Sequence, residues 1–354
     1  MKILERYLFI EIFKASLATL ISLVLVFSFF QFLEELNEIG KANYSIKTAV
    51  KYILFLIPSY FNSLLIVSLM MGTIFSVGKL NLNKELQIFE TGAISLKKLI
   101  RRTIEYPVYI AIFLIFILEV FAPKTITIAN QIKLEAQQKP NHFDSSLAWF
   151  KKGDEIIFLK KINKDKFSIK VFQINDRNLS GYIESNEAYF LDSELIANNL
   201  KKIKISKQGD FSSLVGESNS KLNFNFNDQE IESLSRNVRT MSILELKDKI
   251  LFSIKNKINF DDEISELFSR LIKPVTLAGM ILIAIPFILD LQRNISVGKR
   301  VFISITIGTV THLTTKIFSA VSQKFELISF IGPIVPSLIL IILGFFLIKY
   351  RLRR

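Results

Sequence analysis

Long apolar runs separated by short charged segments dominate the chain and predict membrane-spanning helices. Residues 15–33 contain no charged side chain, and neither do residues 52–78. Each run is about as long as the roughly 20 residues that a helix needs to cross the hydrocarbon core. Four further apolar runs complete a predicted set of six spans, at residues 103–123, 274–289, 301–320 and 327–348.

The polar region between the third and fourth spans has the pattern of a β-domain. Its apolar and polar residues alternate at period two in several short runs, most clearly at Leu222, Phe224 and Phe226. Short strands at this spacing favour a sandwich or jelly roll over βαβ units. The predicted strands are residues 155–162, 167–174, 181–191, 200–207 and 222–226, and a helical pattern follows residue 241.

The predicted fold class is an α+β membrane protein with six transmembrane helices in two sets of three. Pro123 is predicted to end span 3, because proline cannot donate a helical hydrogen bond. The predicted regions are spans 1–3 at residues 1–123, a β-jellyroll-like domain with a return helix at 124–270, and spans 4–6 at 271–354.

Lysine and arginine in the short loops predict the orientation, since these residues stay on the cytoplasmic side. With both termini inside, the cytoplasmic segments hold 16 of them and the opposite loops hold 4. The middle domain is therefore predicted to lie on the side of the membrane opposite the cytoplasm. The cytoplasmic bases are Lys2, Arg6, Lys14, Lys79, Lys84, Lys97, Lys98, Arg101, Arg102, Arg293, Lys299, Arg300, Lys349, Arg351, Arg353 and Arg354; the others are Lys41, Lys47, Lys51 and Lys324.

Composition supports a membrane protein and argues against an enzyme. Hydrophobic residues make up 50% of the chain, mean hydropathy is +0.37, and the net charge of +13 is explained by topology, so nucleic acid is not an expected partner. Cysteine is absent, and the two histidines, His142 and His312, are predicted in different compartments, which leaves no metal site or catalytic triad. No phosphate-binding glycine loop occurs, so the chain is expected to bind no cofactor.

Residues 83–95 form a polar, amphipathic interruption between spans 2 and 3. Glu85, Leu86 and Phe89 place an acid and apolar groups on about one and a half helical turns, and Gly92 offers a C-terminal stop. One interpretation is a surface helix that only joins two spans. The other is a contact segment for a cytoplasmic ATPase.

Ionisable residues near the predicted spans leave two further interpretations open. Lys316 and His312 share one face of span 5; a lysine there either faces a cavity or extends to the interface. Glu34, Glu35, Glu38 and Lys41 follow span 1 and belong either to a solvated loop or to the rim of a lateral opening.

Six separated stretches resemble the LptF/LptG family of lipopolysaccharide-export permeases, with the LptG branch the more similar. They occur in family order, and G-K-A-N-Y, inside the second stretch, is similar to a G-x-G-x-Y turn of the LptG branch. The stretches are L-E-R-Y (4–7), E-L-N-E-I-G-K-A-N-Y (35–44), N-K-E-L-Q-I-F-E-T-G-A-I-S (83–95), W-F-K-K-G-D-E-I-I-F-L-K-K-I (149–162), K-P-V-T-L-A-G-M-I-L-I-A-I-P-F (273–287) and R-N-I-S-V-G-K-R (293–300).

The resemblance implies a permease subunit of an ABC exporter that extracts lipopolysaccharide from the inner membrane. It implies an LptF-type second permease, a dimer of an LptB-type ATPase that uses ATP and Mg, and an LptC-type protein that receives the substrate. Glu85 matches the acid of the family's ATPase-coupling segment, and the implied coupling residues are Glu85, Leu86, Phe89, Glu90 and Gly92.

Substrate contacts follow less directly from the resemblance. Lys133 matches a basic position near the family's cavity mouth, and Lys41 and Lys316 complete the candidate substrate-cavity set. Lys84 replaces the serine of the coupling motif. Gln31, Asn37 and Glu38 stand where LptG proteins can carry lysines. The alternatives are an LptF-type subunit, a membrane scaffold for an envelope β-domain, and a self-contained secondary transporter, which would favour internal repeats.

Overall fold

The computed structural model describes residues 3–85, 95–138, 147–152, 154–162, 166–175, 178–191, 194–205, 211–215, 220–225, 236–288, 296–324 and 330–352. The chain divides into two compact units. The first comprises Met1–Lys133 and Ile264–Arg354, and the second comprises Leu134–Glu263.

The first unit is built from long helices. Their sequences are continuous apolar runs that lack the period-two alternation of the β-domain. In a membrane such runs form helices, because a helix satisfies its own backbone hydrogen bonds. The helices are α1 (Ile3–Leu36), α2 (Ile46–Leu82), α3 (Leu96–Ala136), α5 (Asp261–Leu271), α6 (Lys273–Ile288), α7 (Val297–Lys324) and α8 (Ile331–Leu352), with α4 (Ile243–Asn256) in the second unit. The ends of α3 and α5 cross the boundary between the units.

Five helices of the described residues are long and apolar enough to cross a membrane, namely α1, α2, α3, α7 and α8. The sequence predicts six spans, and the sixth depends on α6. This helix has 16 residues, fewer than the roughly 20 needed to cross alone, and it joins α5 at a 52° bend. The two helices count as one broken span only if they are taken together.

The prediction that Pro123 ends span 3 is wrong. Helix α3 continues through both Pro107 and Pro123 to Ala136. Proline is tolerated inside membrane helices where neighbouring hydroxyls and local adjustments satisfy the backbone groups it disturbs.

Close packing of α1 on α2 and of α6 on α8 forms the centre of the helical unit. The buried side chains of this core include Leu65, Leu69 and Ile74 of α2 and Leu277 of α6. Other apolar side chains face outward, such as Phe116 of α3. Outward apolar faces are what lipid or a second membrane subunit would cover.

Eight strands of the described residues form one antiparallel sheet in the second unit. The strands are β1 (Leu147–Lys152), β2 (Glu155–Lys161), β3 (Phe167–Asn175), β4 (Asn178–Leu191), β5 (Glu194–Asn198), β6 (Lys201–Ile205), β7 (Phe211–Val215) and β8 (Ser220–Asn225). The main order is β1-β2-β3-β4-β5-β8, and β6 pairs with β4 and β7. Strand β4 therefore pairs with β5 along one part of its length and with β6 along another.

The two faces of the sheet follow the period-two pattern of the sequence. Ile157, Leu159 and Ile169 are fully buried in a core that also receives Ile258. The opposite face carries an aromatic row in which the Trp149 ring lies 4.6 Å from the Phe158 ring, centroid to centroid. Trp149 is the chain's single tryptophan, so its fluorescence reports on this domain.

The Lys170–Glu184 ion pair on this second face predicts a pH effect on the β-domain. The Lys170 hydrogen bond, at 2.9 Å, lowers the pKa of Glu184 against an opposing effect of burial. A lowered folded-state pKa adds stability above the unfolded pKa of about 4.3, and that stability is lost as the pH falls through the folded value. We expect Glu184→Gln to lower the thermal midpoint of Trp149 fluorescence at pH 7, through a loss of unfolding free energy of at most about 1 kcal/mol. The difference between the variant and the wild type should shrink as the pH falls below about 4.3.

Glu187→Gln is the matched control for this measurement. Its carboxylate pairs with Lys166 at 3.1 Å, but both side chains are at least half exposed. It should therefore change the midpoint less than Glu184→Gln at pH 7. A Glu184→Gln difference that stayed constant from pH 7 to pH 3 would contradict the assignment.

Candidate functional site

The start of α1 lies against the end of α2 at the segment that the sequence singles out. The Tyr7 hydroxyl donates to Glu85 Oε2 at 2.9 Å, and Asn83 Nδ2 donates to Glu85 Oε1 at 2.9 Å. Asn83 caps α2, and Lys84 takes a positive φ of 58°, which turns the chain out of the helix. Both oxygens of Glu85 therefore have a donor. The other predicted coupling residues, Leu86, Phe89, Glu90 and Gly92, lie outside the described residues.

A first ionic group ties α1 to the start of α3. The buried Glu5 carboxylate lies 2.9 Å from Lys98 Nζ and 3.6 Å from Arg102 Nη2. Arg102 Nη1 also binds Glu105 at 2.8 Å. Residues 98 and 102 are one helical turn apart, so both cations reach the same acid.

The far end of α1 carries a buried carboxylate that is fully engaged. Glu35 is 2% exposed. Its Oε1 accepts from Lys133 Nζ at 2.7 Å and from Gln31 Nε2 at 3.0 Å, while Oε2 accepts from the Tyr44 hydroxyl at 2.7 Å. Lys133 Nζ also lies 4.9 Å from the centroid of the Tyr52 ring. We refer to these five residues as the Glu35 cluster.

The G-K-A-N-Y turn explains how Tyr44 reaches Glu35. Gly40 has a φ of 90°, a conformation that glycine adopts without steric cost. Its N–H donates to the Tyr44 carbonyl at 3.0 Å and closes the turn. Burial is the largest cause that raises the pKa of the Tyr44 hydroxyl, and the hydrogen bond to the Glu35 carboxylate is the second. The hydroxyl is protonated at neutral pH and is the donor in this bond.

Comparison with known sequences assigns this helical and β architecture to a family. The model of the family described as lipopolysaccharide export system permease LptF/LptG matches residues 6–350. The chain belongs to the LptF/LptG family. It is similar to the lipopolysaccharide export system permease protein LptG of Haemophilus influenzae, with 21% identity over 351 residues that cover 98% of each chain. The protein of the same name from Escherichia coli K12 is 20% identical and covers 95% of this chain and 94% of its own length.

The structure separates the three lysines of the candidate substrate-cavity set. Lys133 is paired with buried Glu35, whereas Lys41 forms an exposed pair with Glu38 at 2.6 Å. Lys316 lies on an exposed part of α7 and makes no ion pair within the part of the chain that the structure describes. The interpretation of Glu35 as part of a solvated loop is wrong, because Glu35 lies in the last turn of α1 and is buried.

Sequence reasoning missed a third ionic group in this permease-family chain. Arg270 of α5 is 5% exposed, and its Nη1 lies 3.1 Å from Glu119 Oε2 of α3. Its Nε lies 2.8 Å from Glu266. Lys273, at the start of α6, donates to Asn62 Oδ1 of α2 at 3.1 Å. The available signal was Glu119, an acid inside an apolar run, which is costly without a partner.

No group of three or more histidine, aspartate or glutamate side chains in the described ranges is arranged to hold a metal ion. The three ionic groups instead connect helices to one another. Two of them involve α1, at its first turns and at its last turn. Within the described residues, these groups therefore hold charged side chains in ion pairs between helices. Their partners come from distant parts of the sequence.

Proposed function

We propose that this chain is an LptG-type permease subunit of an exporter that extracts lipopolysaccharide from the bacterial inner membrane. The family match over residues 6–350 is the observation that carries this proposal. The relatives named LptG support the LptG type over the LptF type. Extracted lipopolysaccharide would pass to the middle domain and then to a periplasmic bridge towards the outer membrane.

In this proposal the energy comes from a partner ATPase of the LptB type, present as a dimer that binds ATP and Mg. The permease itself would bind no cofactor. The proposed coupling segment is residues 83–95, with Glu85, Leu86, Phe89, Glu90 and Gly92 as its contact residues. The fixed direction of the Glu85 carboxylate, with a donor on each oxygen, supports its role as a docking group.

The proposed topology has six spans, both termini in the cytoplasm, and a periplasmic β-jellyroll-like middle domain. The excess of lysine and arginine at one set of loops supports this orientation. The proposed partners are an LptF-type second permease and an LptC-type membrane-anchored protein. The outward apolar side chains of α1, α3, α7 and α8 leave surface for a second membrane subunit.

The three lysines would contribute differently to binding the phosphates of lipopolysaccharide. Lys316 is exposed and offers its charge directly. Lys133 already balances Glu35, so phosphate binding there would have to replace the carboxylate. Releasing Glu35 would leave a buried charge without its cation, which costs about 3–5 kcal/mol. Lys41 pairs only at the surface with Glu38, so its exchange would cost little.

Charge reversal at Glu85 tests the coupling role. We expect wild-type tagged chain, solubilised gently, to purify with a P-loop ATPase and a second six-span chain, and to hydrolyse ATP. Glu85→Lys should lose the ATPase, because the docking acid becomes a base beside Lys84. The co-purifying proteins and the ATPase activity are measured for both variants.

Glu187→Lys is a matched control for this reversal, since Glu187 is a half-exposed acid of the β-domain. It should retain the ATPase. If the wild type purifies alone and without ATPase activity, the exporter assignment is wrong and a membrane scaffold for the β-domain is favoured. If Glu85→Lys keeps the ATPase, the family assignment stands but coupling through Glu85 is wrong.

A further inference from the structure

The first two turns of α1 contact both flanks of the proposed coupling segment. Tyr7 donates to Glu85, just before residues 86–94, and Glu5 pairs with Lys98, just after them. The two α1 residues are two positions apart, whereas the residues they hold are separated by thirteen positions. One short piece of helix therefore fixes the spacing between the two ends of the segment.

The two contacts differ in burial and in how readily each can be exchanged. Glu5 is buried and carries two cations, Lys98 and Arg102, so it anchors the start of α3 firmly. Tyr7 makes one exposed hydrogen bond to a carboxylate, which is charge-assisted but readily exchanged. A free glutamate side chain has rotamer entropy of up to about 2 kcal/mol to lose on binding. Donors on both Glu85 oxygens remove much of that freedom before a partner arrives.

We propose that Tyr7 and Glu5 are positioning residues for ATPase coupling: Glu5 holds the outgoing flank of the segment, and Tyr7 orients Glu85. This inference rests on the proposed function. Movement of Glu85 imposed by the ATPase is then passed to α1 through Tyr7. Helix α1 is continuous from Ile3 to Leu36, so the movement reaches the Glu35 cluster about 45 Å away.

Tyr7→Phe tests the proposal because it removes one hydroxyl and keeps the ring. The full complex is reconstituted in lipid vesicles that contain lipopolysaccharide, and ATP hydrolysis and lipopolysaccharide release are measured together. We expect assembly and hydrolysis to persist while lipopolysaccharide released per ATP falls about fivefold to tenfold. That is the range expected for the loss of one hydrogen bond of ordinary net strength, as this exposed contact has. Thermal stability should stay at the wild-type value.

Tyr109→Phe is the matched control. Tyr109 is exposed on α3, and its hydroxyl makes no hydrogen bond within the described residues, so release per ATP should not change. Glu5→Gln should lower release per ATP as Tyr7→Phe does, because it weakens the hold on Lys98. In a Glu85→Ala background, which removes the acceptor, Tyr7→Phe should have no further effect, since Tyr7 acts through Glu85.

The outcomes separate this proposal from the proposed function. If Tyr7→Phe and Tyr109→Phe both match the wild type in release per ATP, the positioning role is overturned while the exporter assignment stands. The same conclusion follows if Tyr7→Phe has its full effect in the Glu85→Ala background. If the wild-type complex moves no lipopolysaccharide, the proposed function itself fails, and this is seen before any variant is compared.

Discussion

Arg270→Leu is expected to destabilise the helical unit by about 3–5 kcal/mol, the cost of removing one partner from a buried ion pair. The substitution leaves the buried Glu119 carboxylate without the guanidinium that lies 3.1 Å from it. It also removes the 2.8 Å contact with Glu266. The ion pair joins α5 to α3, so its loss should loosen this attachment. Arg270 lies next to the 52° bend between α5 and α6. The measurement is the thermal midpoint of the full chain in detergent, followed by size-exclusion chromatography.

Two further variants separate charge burial from general damage. Arg101→Leu removes an arginine whose side chain is 75% exposed, and Glu105 retains Arg102, so its midpoint should stay close to wild type. Arg270→Leu combined with Glu119→Leu should recover much of the lost stability, because apolar residues often replace a buried pair at little cost. Equal midpoints for Arg270→Leu and Arg101→Leu would show that the buried pair contributes no net stability.

Most helices could be predicted from the sequence because apolar length is a local property. The spans predicted at residues 15–33 and 52–78 lie inside α1 and α2. The end of α3 could not be predicted, since a proline in an apolar run can either end a helix or lie inside one, as Pro123 does here. Strands β2, β3, β4, β6 and β8 overlap the predicted runs. Strands β1, β5 and β7 were missed because their apolar and polar residues alternate little, whereas the equally short β6 and β8 do alternate.

The candidate site was less predictable because its contacts join distant parts of the chain. Glu85 could be singled out by its place between two spans, but its donor Tyr7 lies 78 positions away. Lys133 could be matched to a family position, but its partner Glu35 lies 98 positions away and could not be predicted. A lysine that looked like a free cation is already neutralised. Sequence patterns identify which residues are charged, and packing decides which charges are available.

Gly72→Ala is expected to force α1 and α2 apart and to destabilise the chain by about 1–3 kcal/mol, the usual cost of overpacking. A Cβ at position 72 would lie 2.3 Å from Ser16 Cα and 2.4 Å from Ser16 N, where ordinary contacts begin at 3.4 Å. These are backbone atoms, so the helices must separate by about 1 Å. One turn away, Thr19 Oγ1 donates to the Ser68 carbonyl at 3.0 Å, and this interhelical hydrogen bond should be lost as well.

Gly308→Ala is the matched control, because the same added methyl would lie 3.6 Å from Val67, an ordinary contact. Alanine also favours helix over glycine by up to about 1 kcal/mol, so Gly308→Ala should be neutral or slightly stabilising. Ser16→Gly should not rescue Gly72→Ala, since the clash is with the Ser16 backbone. Rescue by Ser16→Gly would mean that α1 and α2 are farther apart and that only the Ser16 hydroxyl meets position 72. In that case α1 would pack on α2 less closely. Transmission of movement along α1 from Glu85 to the Glu35 cluster requires the closer packing.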